Sequence, residues 1–372
     1  FDPANAMGIF NSASGRVTRE KAMELANLVL IAYHKNKICL ECHEEGSEEP
    51  EQLFPGRLNC NADPNFDEQC PGHFSTDPYE VLAWLWHTDR PIGVQHMLRT
   101  IPFGFIAANH ASKELFIVLR GTITTDEWRN NLITRPSSLI SGSGDFGMVH
   151  EGFNKIFSLD YQDRLHEHKS FLTRIGRTIG TYEEPPSERR FSIKEVIRDT
   201  VINGSWMQQG YRIFITGHSL GGALAMLAGF LLLSYDKEGY SPLLSICTFG
   251  APRVGNQAFG RWFNAVEVVR YVNSEDTVPT VPPPTAKVFG TDMNETNNEQ
   301  VRARRQKGYE AINDTFGATK GAMKEEANLD DELAKVRAFV HIGETRCFTL
   351  NKGSISYNHN MPVTYREGIK LI

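Results

Sequence analysis

The sequence lacks an excess of positive charge and lacks any hydrophobic run long enough to cross a bilayer. Its 39 lysines and arginines are outnumbered by 45 aspartates and glutamates, giving a formal net charge of -6, so nucleic acid is not an expected partner. The longest apolar run, residues 221–233, is too short to span a membrane and indicates a buried helix. Hydrophobic residues make up 40% of the chain, which excludes a disordered protein and indicates an ordinary globular one.

Cysteine is scarce, and four of the six cysteines lie in one irregular stretch, residues 37–77. These four are Cys39, Cys42, Cys60 and Cys70. The stretch is acidic and shows little apolar periodicity, so it cannot bury a core of its own. Two disulfides are the favoured interpretation; the alternative is a structural zinc site of four thiolates, with or without His43 or His73. Of the other two, Cys247 lies in the apolar run 243–249 and Cys347 lies in the segment 345–348, and both are predicted to be small buried hydrophobic residues on strands.

Predicted strands alternate with predicted helices along most of the chain. The strands are 102–108, 115–119, 211–216, 244–249 and 266–272, and the helices are 20–33, 160–180, 193–202 and 223–233. A polar loop between the first two strands predicts a hairpin. The alternation of the rest predicts an α/β fold with a mostly parallel central sheet flanked by helices. We expect a single domain over residues 1–372, with surface insertions at 34–80, which carries the clustered cysteines, and at 285–338, which is charged and helical.

The pentapeptide Gly-His-Ser-Leu-Gly, residues 217–221, follows a predicted strand and precedes a helix of small residues, as a nucleophile elbow requires. Glycines at 217 and 221 remove the Cβ atoms that would clash in so sharp a turn. A helix that begins beside the serine also aims backbone N–H groups at a developing oxyanion. Ser219 is therefore the candidate nucleophile. His218 is expected to pack or form hydrogen bonds rather than to act in catalysis.

A nucleophilic serine needs a base and an acid that orients the base, and after an elbow the acid precedes the histidine in the chain. The predicted strand 266–272 ends just before Asp276, at the sheet edge where ligands bind in open α/β folds. Asp276 is the candidate acid and Glu275 the alternative. His359, in a polar loop, is the candidate base, and His341, in a strand-like stretch, is the alternative.

The oxyanion hole of such a site needs two N–H donors. The residue after the nucleophile, Leu220, is the candidate for one of them. The loop that follows strand 115–119 begins Arg120-Gly121-Thr122, and the N–H of Thr122 is the candidate for the other. This chemistry requires no metal ion and no organic cofactor.

Six separated segments share the order and the residue types of one enzyme family. They are 116–122 with Trp128, 149–153, 216–224, 248–255, 270–282 and 359–360. Together they resemble the class 3 lipases, the fungal-type lipases of the α/β-hydrolase fold. The resemblance implies that fold, a triad of Ser219, Asp276 and His359, and oxyanion donors at Thr122 and Leu220. Residues 123–132 correspond to the family's lid but are mostly polar, whereas an interfacial lid exposes an apolar face.

The resemblance and the candidate triad predict a serine hydrolase of carboxylic esters, acting foremost on acylglycerols, with a lipid ester at an interface or as monomers as its partner. The alternatives are a phospholipase A1, an esterase for short or feruloyl acyl groups, and a lipase-like interaction protein that has lost catalysis. Secretion is favoured by the clustered cysteines, by a chain that begins with Phe1 instead of Met, and by three glycosylation tripeptides, at Asn203, Asn294 and Asn313.

Overall fold

The computed structural model describes residues 16–44, 79–89, 99–121, 136–138, 146–159, 192–282 and 338–372. The predicted helix 160–180, the polar segment 123–132 and all but the last residue of the charged insertion lie outside these ranges, as does most of the insertion 34–80. No helix in the described ranges is long and apolar enough to cross a membrane.

The described strands and helices follow one another in this order along the chain. They are α1 (Arg19–Glu44), β1 (Glu80–Asp89), β2 (Arg99–Asn109), β3 (Glu114–Leu119), β4 (Pro136–Ser138), β5 (Met148–His150), α2 (Glu151–Ser158), α3 (Ile193–Ile197, continued by a π-helical turn Arg198–Ile202), β6 (Arg212–His218), α4 (Leu220–Tyr235), β7 (Leu244–Phe249), β8 (Gly255–Asn256), α5 (Gln257–Gly260), β9 (Glu267–Asn273), β10 (Phe339–Val340), β11 (Glu344–Phe348), α6 (Ile355–Asn358) and α7 (Arg366–Ile369, preceded by a π-helical turn Met361–Tyr365).

A seven-stranded sheet forms the centre of the described structure, in the order β1-β2-β3-β6-β7-β9-β11. The strands β1, β2 and β3 are antiparallel neighbours, and every pairing from β3 onward is parallel. The predicted hairpin is therefore present as β2 and β3, and the predicted mostly parallel α/β sheet is confirmed. Because the parallel strands all run the same way, the ends of β6 and β9 lie at the same edge of the sheet.

Helices cover both faces of this sheet, and neighbouring residues of one strand pack into the hydrophobic cores on opposite faces. In β3, Leu115 and Ile117 pack with α2, α3 and α4, whereas Phe116 and Val118 pack with α1. The alternation follows from the two-residue period of a strand, and burial on both faces accounts for the continuous apolar run of β3. Helix α4 is buried along most of its length, as its uniformly apolar sequence predicts.

Two predictions about the cysteines need correction. Helix α1 continues to Glu44, beyond its predicted end at residue 33, so Cys39 and Cys42 lie on helical backbone rather than in an irregular stretch. Their predicted partners, Cys60 and Cys70, lie outside the described residues. Cys247 is buried as predicted, but Cys347 is exposed, because it lies on β11 at the edge of the sheet, where one side of the strand is uncovered.

A second, four-stranded antiparallel sheet, β10-β8-β5-β4, was not predicted. Its strands are two or three residues long, too short to show a period in the sequence. The predicted strand around His341 is broken after β10. Gly343 has a φ of 96°, and a Cβ there would lie 2.5 Å from the carbonyl oxygen of Val268, so the chain turns before β11 begins.

Candidate active site

Ser219 lies in the sharp turn between β6 and α4. Its φ of 57° and ψ of -127° are rare for a residue other than glycine, and its N–H donates to the carbonyl of Phe249 on β7 over 2.9 Å. A Cβ added at Gly217 would lie 2.2 Å from the carbonyl oxygen of Gly221, and one added at Gly221 would lie 2.4 Å from that of Leu119. The predicted steric role of both glycines is confirmed.

Leu220 is the first residue of α4, and its side chain is buried. The N–H groups of a helix's first turn have no carbonyl one turn earlier to accept them, and they carry the positive end of the helix dipole. The backbone of Leu220 therefore offers a donor directly beside the serine. Its role as an oxyanion donor remains a prediction.

Asp276 and His359 are joined by a hydrogen bond at the same edge of the sheet. Nδ1 of His359 lies 2.6 Å from Oδ2 of Asp276, whose side chain is fully buried. The same Oδ2 accepts the hydroxyl of Tyr365 over 2.5 Å, and Oδ1 accepts the N–H of Val278 over 2.9 Å. Because a carboxylate only accepts, the hydrogen of His359 is held on Nδ1 and its Nε2 is left as the basic nitrogen.

The alternative acid and base occupy other positions. Glu275 is adjacent to Asp276, but it is Asp276 that contacts His359. His341 lies between β10 and β11, in the break of the predicted strand. The geometry thus favours Asp276 and His359 over both alternatives.

Two asparagines that the sequence reasoning missed join the turn of Asp276 to the loop of His359. The side-chain amide of Asn273 donates to the carbonyls of Leu350 and Asn358 over 2.8 and 3.0 Å. The amide of Asn358 donates to the carbonyl of Glu275 over 3.3 Å. Both asparagine side chains are buried, so leaving their amide groups without hydrogen bonds would be costly. An asparagine beside a predicted turn is too common in sequences to signal this role.

His218 connects the turn of Ser219 to the loop of His359. Its Nε2 lies 2.8 Å from the carbonyl oxygen of His359, and the two ring centroids are 4.6 Å apart. Burial holds the pKa of His218 well below its usual value, and the nearby imidazole of His359 lowers that pKa further. The prediction that His218 forms hydrogen bonds is confirmed. Because His218 directly precedes Ser219, this bond joins the backbone of His359 to the residue next to Ser219.

The loop after β3 also passes directly against Ser219. A Cβ added at Gly121 would lie 2.7 Å from the Cβ of Ser219, so no larger residue fits there. Thr122, the next residue and the predicted second oxyanion donor, lies outside the described residues. Within the ranges that the structure covers, no cluster of histidine, cysteine, aspartate and glutamate could hold a metal ion.

Comparison with known proteins identifies the region that contains the elbow. The family model described as "Lipase (class 3)" matches residues 116–286. The chain is 28% identical to phospholipase A(1) DAD1, chloroplastic, of Arabidopsis thaliana, over 46% of this chain and 34% of that protein. It is 28% identical to a lipase of Rhizomucor miehei, over 48% of this chain and 40% of that protein.

A third relative is secreted mono- and diacylglycerol lipase 1 of Fusarium solani, which is 26% identical over 48% of this chain and 42% of that protein. The chain therefore spans less than half the length of each of these three relatives.

Proposed function

Because the chain belongs to the class 3 lipase family, we propose that it hydrolyses carboxylic esters, with acylglycerols as substrates, through an acyl-enzyme on Ser219. The observation that carries the proposal is the 2.6 Å contact of His359 with the buried Asp276, at the sheet edge where Ser219 lies in its strained turn. A lipase and a mono- and diacylglycerol lipase among the relatives support an acylglycerol as the substrate.

The proposed reaction proceeds in two halves. Nε2 of His359 takes the proton of the Ser219 hydroxyl as its oxygen attacks the ester carbonyl, and the N–H groups of Leu220 and Thr122 stabilise the oxyanion. His359 then gives the proton to the leaving alcohol, which departs and leaves the acyl-enzyme. In the second half, a water oxygen attacks the acyl carbon while His359 takes a proton from the water. His359 then returns the proton to the oxygen of Ser219, and the fatty acid is released. Throughout, Asp276 keeps the imidazole in the required tautomer.

Two exposed apolar side chains close to His359 in the chain support a lipid substrate. Only five large hydrophobic side chains of the described residues are exposed: Tyr235, Tyr357, Val363, Leu371 and Ile372. Tyr357 and Val363 lie two residues before and four residues after His359. Exposed apolar side chains next to a functional group suit an acyl chain, which gains by leaving water.

The nucleophile is tested with the Ser219→Ala variant on p-nitrophenyl butyrate. We expect kcat to fall by about 10⁴- to 10⁶-fold with an unchanged circular dichroism spectrum and thermal midpoint. A fluorophosphonate probe should label the wild-type protein and not the variant. Labelling of neither would contradict the proposal and favour the non-catalytic interaction protein.

The base is tested by replacing each histidine separately. His359→Ala should lose most of the rate, and His341→Ala should retain it, with both variants folded. A greater loss at His341 would transfer the role of general base to that residue.

A phospholipase A1 is the second candidate, because two relatives from Arabidopsis thaliana carry that name. Initial rates on triolein, tributyrin, phosphatidylcholine and a feruloyl ester separate the candidates. The proposal expects the acylglycerols to be cleaved fastest. A clear preference for phosphatidylcholine would favour the phospholipase, and a preference for the feruloyl ester would favour the esterase.

We also propose that the protein is secreted and that Cys39, Cys42, Cys60 and Cys70 form two disulfides. The secreted lipase of Fusarium among the relatives and the three glycosylation tripeptides support this proposal, and Asn203 of the first tripeptide is exposed. The intact mass of the denatured, unreduced protein should be four hydrogens below that of the reduced chain. Stoichiometric zinc in the native protein, with no such mass difference, would contradict the disulfides.

A further inference from the structure

Four groups that are distant in the sequence form one chain of hydrogen bonds next to the nucleophile. The N–H of Gly121 donates to the hydroxyl of Tyr33 over 2.8 Å. That hydroxyl lies 2.8 Å from Nδ1 of His218, and Nε2 of His218 lies 2.8 Å from the carbonyl oxygen of His359. The chain of bonds therefore begins in the loop after β3, passes through α1 and the end of β6, and ends in the loop of the proposed general base.

The chemistry of the groups sets the direction of every bond. The carbonyl of His359 can only accept, so Nε2 of His218 carries the hydrogen. In a neutral imidazole Nδ1 is then an acceptor, and the hydroxyl of Tyr33 must donate to it. The oxygen of Tyr33 keeps a lone pair for the N–H of Gly121, which can only donate. All three bonds are thus satisfied together in a single arrangement of hydrogens.

The surroundings of His218 keep that arrangement intact. Its side chain is buried, and burial holds its pKa well below the usual value, so the ring stays neutral at ordinary pH. Packing against the rings of Tyr365 and His359, at centroid distances of 5.5 and 4.6 Å, restrains the imidazole further. A restrained neutral ring with a donor at one nitrogen and an acceptor at the other is a rigid connector between two loops.

The two ends of this connector are the two loops that an acyl transfer must keep in register. Gly121 lies so close to Ser219 that an added Cβ would be 2.7 Å from the Cβ of the serine, and it directly precedes Thr122, the predicted oxyanion donor. At the other end, Asp276 orients the ring of His359, whereas His218 holds the main chain of the same residue. Misplacement of either loop by about 1 Å is enough to lower the rate of an enzyme by about 100-fold.

We propose that Tyr33 and His218 are positioning residues that hold the oxyanion loop and the general-base loop in register around Ser219. Neither residue takes a proton in the reaction. Their contribution is that donors and base are already placed when charge develops on the substrate. The inference rests on the proposed function, because it assumes that Ser219 and His359 are the nucleophile and the base.

Tyr33→Phe tests the proposal by removing one hydroxyl from the middle of the chain of bonds. We expect kcat on p-nitrophenyl butyrate to fall by about 10- to 100-fold while KM changes by less than about 3-fold, because positioning acts on the transition state more than on substrate binding. The matched control is Tyr211→Phe. The hydroxyl of Tyr211 also lies 2.8 Å from a histidine Nδ1, that of His110, but it precedes β6 at the end opposite to Ser219.

The control should retain a wild-type kcat. An equal loss in both variants, or a wild-type kcat in Tyr33→Phe, would overturn the proposal while leaving Ser219→Ala and fluorophosphonate labelling to support the catalytic function. Absence of labelling in the wild-type protein would instead contradict the function itself. The two failures are thus distinguishable.

A second measurement does not depend on activity. In a ¹⁵N nuclear magnetic resonance spectrum of the histidine rings, assigned with His218→Gln, His218 should be neutral with its hydrogen on Nε2, and Tyr33→Phe should shift the Nδ1 resonance of His218. A hydrogen on Nδ1, or an Nδ1 resonance unmoved by Tyr33→Phe, would overturn the proposed chain of bonds.

Discussion

The hydroxyl of Tyr365 donates to Oδ2 of Asp276 over 2.5 Å, and this is the oxygen that also contacts His359. Both side chains of the tyrosine–aspartate pair are fully buried, so the bond forms in a medium that screens charge poorly. The tyrosine therefore limits the directions in which the carboxylate, and through it the imidazole, can turn.

Replacing Tyr365 by Phe should weaken both folding and turnover. A hydrogen bond to a charged group contributes about 1.5–3 kcal/mol, and we expect a loss of that size in the free energy of unfolding by urea. We expect kcat to fall by about 3- to 10-fold, because Asp276 keeps the N–H of Val278. An unchanged free energy of unfolding would show that the bond contributes nothing net to stability.

Asp276→Asn should lower kcat by about 10⁴-fold with little change in fold, because an amide in that position favours the wrong tautomer of His359. The matched comparison is Glu275→Gln, which makes the same change one residue earlier. We expect that variant to lose less than about 10-fold in kcat. Steady-state kinetics on p-nitrophenyl butyrate measure both, and the reverse order of losses would assign the acid to Glu275.

Gly221→Ala should destabilise the fold, because the new Cβ would lie 2.4 Å from the carbonyl oxygens of both Leu119 and Arg120, at the end of β3. We expect the free energy of unfolding to fall by at least about 3 kcal/mol. The control, Gly239→Ala, has a φ of 80° but no neighbour within 4 Å of the added Cβ. Its cost should be limited to about 1–2 kcal/mol of backbone strain. Equal losses in urea unfolding would refute the steric explanation.

Stability should decline as the pH falls below about 6.5, because His150 is buried without its proton. Burial lowers its pKa from the ordinary value of 6.5 to about 3, and its Nδ1 accepts the N–H of Phe153 at the start of α2. The unfolded chain takes up the proton first. The stabilisation is therefore complete above pH 6.5 and is lost progressively toward pH 3, by an amount on the order of 3–5 kcal/mol.

The variant His150→Asn tests this pH dependence, because asparagine also caps helices but does not titrate. Its free energy of unfolding should vary less steeply between pH 6.5 and 3 than that of the wild type. Some slope should remain, since burial lowers the pKa of His218 as well. An unchanged slope would exclude His150 as a source of the pH dependence.

The elements that sequence reasoning predicted correctly are those whose cause is local. Strand β7 matches its predicted range, and the turn around Ser219 is as tight as the two glycines of the motif predict. The errors also have local causes. Helix α1 continues to Glu44, beyond the end of its apolar pattern. The strand predicted through His341 is interrupted at Gly343, where the backbone has a positive φ.

The sequence by itself predicted the α/β alternation, the candidate nucleophile and the short set of candidate acids and bases, because each depends on neighbouring residues and on steric limits within a few positions. Only the tertiary structure decided that Asp276 and not Glu275 contacts His359, that Tyr33 contacts His218 and that Tyr365 contacts Asp276. Those contacts join residues 83, 185 and 89 positions apart. Closing such long loops costs entropy that only the packing of the whole sheet and its helices repays, so no local pattern records which side chains will meet.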